Sequence, residues 1–270
     1  MAETFPTQSQ IVIVGGGIIG CSIAYHLAKL GKKDIVVLER GSLTCGTTWH
    51  AAGLVMQLRA THTMTEICRY GVRLFESIKD ETGQDTGFKQ NGSLPIARTH
   101  ERLTEIARIV SLGKVFGVEA HMLSPAEVKS HYPLLDQSKV VGGAFIPGDG
   151  QTNPVDTTMA IAKGARQAGV RIIENVSVTG FKTKNGSVTA VITDRGTIKC
   201  EIAVNCAGIW ARQVGHMAGV NVPLYAAEHM YVTTESDIAV PADLPVLRDT
   251  DGYVYVKEDA GKLLVGAFEP

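Results

Sequence analysis

The apolar positions of the chain fall into two periods that exchange places along its length. Ile11-Val12-Ile13-Val14 and Ile35-Val36-Val37-Leu38 are unbroken apolar runs rich in β-branched residues, the pattern of strands buried on both faces. Between them, residues 18–30 carry apolar positions at helical spacing and stop at Gly31. Strand, glycine turn, helix and strand within about thirty residues make a βαβ unit. The period then changes. Residues 61–82 predict a helix with Ile67, Tyr70, Leu74 and Ile78 on one face, residues 93–97 a strand after the Asn91-Gly92 turn, and residues 101–116 another helix. Ser124-Pro125-Ala126-Glu127 opens a further helix, with an N-cap, proline at the first position and an early acid.

The first pattern then returns. Residues 156–168 predict a helix, 170–173 a strand, and 176–182 with 188–193 a hairpin about Asn185-Gly186. Residues 202–206 read as a buried strand leading into a helix near 211–218. From Pro223 the pattern is β-rich, with short runs at 230–233, 253–256 and 263–265. This order predicts an α/β protein in which a Rossmann-like dinucleotide-binding domain (1–85 and 151–222) is interleaved with an α+β substrate domain (86–150 and 223–270). The last run leads into Glu269-Pro270 with no helix returning to the first sheet, so the chain is expected to be truncated at its C-terminus.

Composition narrows the classes. Lys and Arg number 26 against 27 Asp and Glu, a net charge of −1, with no long run of one sign. That balance predicts neither a nucleic-acid footprint nor a polybasic membrane patch. Residues 5–28 hold no charged side chain, but Gln8, Gln10, three successive glycines and His26 interrupt them, so a strand and a helix are expected rather than a membrane span. Cys21, Cys45, Cys68, Cys200 and Cys206 are scattered without a C-x-x-C pair, which suits reduced thiols and predicts no metal site. Met1-Ala2-Glu3 begins no Arg-rich presequence, and a cytoplasmic protein is expected.

Gly15-Gly16-Gly17-Ile18-Ile19-Gly20 carries the first chemistry. Gly15 makes the tight strand exit, Gly17 lets amides approach a pyrophosphate, and Gly20 allows close helix–strand packing. The helix start adds backbone amides and a positive dipole end. Glu39 lies at the end of the second strand, where its carboxylate can accept both ribose hydroxyls and disfavours a 2′-phosphate. The alternative is a purely structural glycine turn. A long Gly/Ser/Thr loop follows Arg40 in place of further βαβ repeats, which suits FAD in an extended pose over NAD. Val178 sits in the later hairpin, where backbone can meet an adenine, and Asn205-Cys206-Ala207-Gly208 is a small-residue strand end; for both, the competing reading is core packing. His50, in Gly46-Thr47-Thr48-Trp49-His50-Ala51-Ala52-Gly53, is either a solvated loop histidine or a group that reaches the cofactor.

Together with Glu39-Arg40, Gln90-Asn91-Gly92-Ser93, Ser124-Pro125-Ala126-Glu127, Asn205-Cys206-Ala207-Gly208-Ile209-Trp210 and Glu228-His229-Met230-Tyr231-Val232-Thr233, these motifs resemble the sarcosine dehydrogenase and dimethylglycine dehydrogenase family, FAD-dependent amine oxidoreductases of the D-amino-acid-oxidase-like fold. Residues 54–59 and 111–114 look closer to the sarcosine branch. Gly148-Asp149-Gly150 and residues 245–249 look like the dimethylglycine branch.

The resemblance implies FAD bonded through its 8α position to His50, with Ile18, Ile19, Glu39, Arg40, Gly46, Thr47, Thr48, Ala52, Gly53, Leu54, Val178 and Trp210 lining the cofactor. It implies oxidative demethylation of a small N-methyl amino acid, sarcosine or dimethylglycine. Hydride leaves the methyl carbon for the flavin; His229 assists removal of the amine proton and Tyr255 orients the substrate. Each also has a plainer reading, His229 as a strand-edge hydrogen-bonding group and Tyr255 as an alternating sheet residue. The electron acceptor implied by the resemblance is an electron-transfer flavoprotein, with oxygen as the alternative in an oxidase of the same fold. A related regulatory subunit of pyruvate dehydrogenase phosphatase keeps the fold without this histidine, and supplies the non-catalytic alternative. Tetrahydrofolate is implied only for a C-terminal portion with no counterpart here, and the eukaryotic members add the mitochondrial matrix as a second compartment. Arg59 and Arg248 are the cations available to a substrate carboxylate; the sequence reads each as a surface salt bridge and does not choose between them.

Overall fold

A computed structural model describes residues 4–235 and 239–268. The readings of Met1-Ala2-Glu3 and of Glu269-Pro270 therefore lie outside the described residues. In chain order the elements are β1 (Ile11–Val14), α1 (Ile18–Lys29), β2 (Ile35–Leu38), β3 (Leu54–Val55), α2 (His62–Thr82), β4 (Ser93–Ala97), α3 (His100–Phe116), β5 (His121–Leu123) and α4 (Pro125–His131). They continue through β6 (Gly142–Phe145), β7 (Gly150–Gln151), α5 (Pro154–Gln167), β8 (Arg171–Ile173), β9 (Val178–Lys184), β10 (Ser187–Thr193), β11 (Gly196–Lys199) and β12 (Ile202–Asn205). Then follow α6 (Ala211–Met217), β13 (Tyr231–Thr233), β14 (Val246–Asp249), β15 (Val254–Asp259) and β16 (Lys262–Ala267). Among the described residues no helix is long and apolar enough to cross a membrane.

The chain forms two compact units, each built from separate segments. The first comprises Met1–Ala51, Ser77–Thr86 and Pro154–Ala227; the second comprises Ala52–Glu76, Gly87–Asn153 and Glu228–Pro270.

In the first unit a parallel sheet runs β12-β1-β2-β8, with Ile11 opposite both Ile35 and Ile202. Every residue of β1 and β2 is buried, because both faces are covered. Helices α1 and α5 pack together and against the sheet. They come close because Gly164 has no side chain: a Cβ there would lie 2.8 Å from the Tyr25 ring. On the other face Val12, Val36 and Leu38 pack with Val176, Val191 and Ile198, the last two from the antiparallel sheet β11-β10-β9. The β9–β10 turn places Asn185 and Gly186 at φ 53° and 76°, the left-handed pair of a tight hairpin. Strand β11, which the sequence pattern did not predict, completes that cover.

The second unit holds a mixed sheet ordered β13-β16-β15-β14-β4-β6-β5, and a short pair, β3-β7. Period-2 alternation sends Leu94, Ile96 and Leu247 into one core with Val128 and Tyr132. The capping box at α4 forms as the motif predicts. The Ser124 hydroxyl accepts from the Glu127 amide, and the Glu127 carboxylate accepts from the Ser124 amide at 2.7 Å. This box fixes the helix that buries Val128, so Ser124→Ala is expected to lower stability by about 1 kcal/mol in denaturant melts. The hydroxyl and amide of Ser124 hold the Glu127 carboxyl below the usual carboxylate range. A lowered folded-state value stabilises above the unfolded value and is lost as pH falls through the folded one, so the deficit of the variant narrows in acid.

One expectation for α2 needs correction. The helix is there, but Ile67 and Tyr70 are exposed, while Thr65, Val72, Ile78 and Thr82 are its buried positions. The apolar stripe taken from spacing alone ran along the wrong side for its first half. Strands β5, β6, β7 and β14 were also not expected; each is short or glycine- or charge-containing, and each is stabilised by its neighbours in the sheet.

Candidate functional site

The exit of β1 is built by close backbone approach. Gly15 has φ +116°, and a Cβ there would lie 2.3 Å from the Cys206 carbonyl oxygen at the end of β12. Gly20, one turn into α1, sits on the Gly15 carbonyl, where a Cβ would meet the oxygen at 1.9 Å. Helix α1 can therefore begin directly over the strand end, aiming its first amides outward. Thr48 closes one of them, its hydroxyl accepting from the Ile18 amide at 3.1 Å.

Above this turn lies a cavity of about 290 Å³ belonging wholly to the first unit. Gly15, Gly17, Ile18 and Ile19 line it from below. Glu39 and Arg40 come from the end of β2, and Gly46, Thr47 and Thr48 from the loop that follows. Val178, the first residue of β9, and Trp210, after β12, line it too, whereas Ala52, Gly53 and Leu54, expected in the same set, do not. Arg40 lays its guanidinium 3.8 Å from the Trp210 ring centre, a cation–π contact that fixes both at the rim. Gly46 lies under the same indole, with room for a Cβ only 3.3 Å from it.

Glu39 does more than wait for a ribose. Its Oε2 accepts from the Gly16 amide at 2.7 Å and its Oε1 from the Gly41 amide at 3.0 Å, so the carboxylate ties the glycine turn to its own strand end. Oε1 also accepts from the Cys45 thiol at 3.5 Å, so of the roughly four lone-pair sites a carboxylate offers, about one is left for a ribose hydroxyl. Gln213, Val214 and Met217 of α6 also line the cavity and were missed from sequence. Their i, i+1, i+4 spacing on a seven-residue helix is too short a signal to single out. Apolar walls, a glycine-lined floor and an acid at the strand end fit an adenine dinucleotide.

His50 stands apart from the cavity wall. It is exposed, its ring tilted by 39° against that of Trp49 at 3.9 Å between ring centres, with Nδ1 3.2 Å from the Gly46 carbonyl. A carbonyl only accepts, so Nδ1 carries the proton of the neutral ring and Nε2 keeps its lone pair. Ala52, Gly53 and Leu54 belong to the second unit. There Leu54 pairs with Gln151, and Gly53, at φ 76°, accepts from the Thr152 amide at 2.8 Å.

The second unit brings together the two expected catalytic groups. His229 Nε2 lies 3.2 Å from the Tyr255 hydroxyl, the rings nearly parallel and 6.0 Å apart. Tyr255 is almost wholly buried and leans across Gly266, where a Cβ would lie 2.0 Å from its ring. Its sheet register and its contact with His229 hold together, so the two readings of Tyr255 are not exclusive. Arg59 and Arg248 require correction: neither forms an ion pair among the described residues. Among the described residues no group of three or more His, Cys, Asp or Glu side chains could hold a metal ion.

Residues 10–270 match the family model described as FAD dependent oxidoreductase. The chain is 42% identical to "Sarcosine dehydrogenase, mitochondrial" of Mus musculus, across 99% of this chain and 30% of that protein. It is 43% identical to "4-methylaminobutanoate oxidase (formaldehyde-forming)" of Paenarthrobacter nicotinovorans, across 99% of this chain and 32% of that one. The chain thus spans about a third of the length of the curated relatives it matches. Among solved structures, L-proline dehydrogenase from P.horikoshii superposes with a TM-score of 0.89 at 29% identity, covering 97% of this chain and 70% of that one.

Proposed function

We propose, from the premise that the chain belongs to the FAD dependent oxidoreductase family, that its full-length protein oxidatively demethylates a small N-methyl amino acid, with FAD bonded to His50. The observation that carries the reading is the near-equal similarity, over almost the whole chain, to two proteins named for methylated amino acids. One of them is named as formaldehyde-forming. When bound, FAD supplies a two-electron acceptor for a hydride leaving carbon. The N-methyl carbon, stripped of hydride, takes up water and leaves as formaldehyde, returning the demethylated amine.

The chain's own residues would divide the work. The α1 amides hold the pyrophosphate, Glu39 takes the ribose, and Arg40 with Trp210 closes the rim of the cavity. His50, with Nδ1–H spent on the Gly46 carbonyl, presents Nε2 as the atom that would hold the cofactor. An ammonium cannot release hydride from its neighbouring carbon until the nitrogen lone pair is free. Tyr255 can take the ammonium proton as its own hydroxyl proton passes to His229 Nε2 across 3.2 Å.

The test uses the full-length protein mixed anaerobically with sarcosine, dimethylglycine and 4-(methylamino)butanoate. Bleaching of the flavin with one formaldehyde released per flavin reduced is the expected result; repeating it with a dye or with oxygen identifies the acceptor. Bound flavin that no N-methyl amino acid bleaches would favour the regulatory reading instead. Bleaching that yields ammonia and no formaldehyde would make the reaction a deamination.

A further inference from the structure

We propose that Arg248 is the anchor for the substrate's carboxylate, on a polar face of the second unit that also carries Tyr255 and His229. The assignment of this ligand rests on the amine-oxidation reading above; the geometry of the site does not.

Strand β14 explains why the arginine is where it is. Leu247 lies opposite Val256, and both pack into the core on one side of the sheet. Alternation then turns Arg248 to the other side, directly opposite Tyr255, and paired residues of antiparallel strands share a face. Tyr255 in turn lies opposite Gly266, whose missing side chain leaves the space that the phenol crosses on its way to His229. Phe268 backs the group, its ring 5.3 Å from that of Tyr255 and 5.7 Å from the Arg248 guanidinium.

What Arg248 lacks among the described residues is an acceptor. Its Nε is buried without a hydrogen-bond partner, and no hydrogen bond from its guanidinium exists among the described residues. Burial draws the guanidinium below the ordinary arginine range, the charge of Arg59 acts in the same direction, and Asp149 opposes them. Asp149 does not neutralise the pair. Its two oxygens already accept from the Ser93 hydroxyl at 2.6 Å and the Gln57 amide at 2.8 Å. Two guanidinium groups therefore share one carboxylate that is held elsewhere, leaving at least one positive charge uncompensated. A desolvated cation with an unspent planar fork of donors calls for an anion of matching shape, and a carboxylate accepts that fork in two parallel bonds.

The experiment uses the full-length flavoprotein and two probes, methoxyacetate and its neutral amide, methoxyacetamide. Binding is read from perturbation of the flavin absorption, and KM and kcat are measured separately with the best N-methyl amino acid. Arg248→Gln is expected to weaken methoxyacetate by roughly 100-fold, the scale for truncating one partner of a desolvated charge pair. KM should rise with it, while methoxyacetamide affinity and flavin content stay unchanged. Arg248→Lys keeps the charge but not the fork, and should recover part of the loss; it also decides the matter if the glutamine variant does not fold. Unchanged methoxyacetate affinity in both variants, with flavin intact, overturns the anchor. So does a loss that appears in Arg59→Gln and not in Arg248→Gln. Tight, Arg248-dependent methoxyacetate binding in a protein that oxidises no N-methyl amino acid supports the anion site and rejects the demethylase reading. Oxidation of N-methyl amines equally fast with and without a carboxylate rejects the anchor and leaves amine oxidation standing.

Discussion

Full-length protein carrying His50→Ala is expected to shed its FAD into the supernatant on acid precipitation, whereas the parent precipitate stays yellow and carries a flavin mass adduct on the His50 peptide. The covalently bound fraction should fall from nearly all to none. The Gly46 carbonyl, 3.2 Å from Nδ1, fixes the tautomer, so the neutral ring presents Nε2 as its free lone pair. The ring is exposed and its orientation is set by contact with Trp49. The cavity wall does not include His50, and noncovalent FAD should therefore still bind to the α1 turn. Turnover is expected to drop by roughly tenfold, about 1.4 kcal/mol of barrier, rather than to vanish. A colourless parent precipitate with no adduct would remove the covalent bond from the reading.

The second large effect lies beneath the cofactor. Gly20→Ala would push a methyl group to 1.9 Å from the Gly15 carbonyl oxygen, and Gly15→Ala one to 2.3 Å from the Cys206 carbonyl oxygen. Both obstacles are backbone, so neither can swing aside; α1 must lift from the strand end and carry its amides away from the pyrophosphate. Either variant is expected to lose about 3 kcal/mol or more of stability, at the upper end for overpacking, and most of its FAD. Gly31→Ala is the control. Gly31 also has a left-handed φ, +84°, but nothing lies within 4 Å of its added Cβ, so the cost should be the conformational one alone, about 1–2 kcal/mol, with FAD content intact. Thermal midpoints and flavin-to-protein ratios read the two effects separately. Equal losses at Gly20 and Gly31 would mean that close packing is not what Gly20 provides.

These two sites show how unevenly structure was legible. The glycine turn could be read because its requirement is local: each glycine answers to a neighbour within one βαβ unit, and the spacing of that unit is fixed by strand and helix geometry. Strands β1 and β2 announced themselves for a related reason, since cover on both faces removes every polar position from them. Helix α2 misled because an amphipathic spacing says that one face is apolar, not how deeply each of its side chains is buried. Ile67 and Tyr70 belong to the right period and remain exposed. Strand β14 was invisible because two of its four residues are charged, and only its neighbours β4 and β15 give their backbones a ladder.

By itself, then, the sequence determined the class of fold, the glycine turn at the strand exit and the acid at the strand end. All of these depend on residues close along the chain, where covalent geometry dictates what can face what. Only the tertiary structure decided that Glu39 ties down its own glycine turn, that His50 presents Nε2, and that Arg248 is a half-buried cation with no acceptor among the described residues instead of a surface salt bridge. Hydrogen-bond partners, desolvation and charge balance are set by groups far apart in sequence, and they take a value only when the sheet brings those groups to one face.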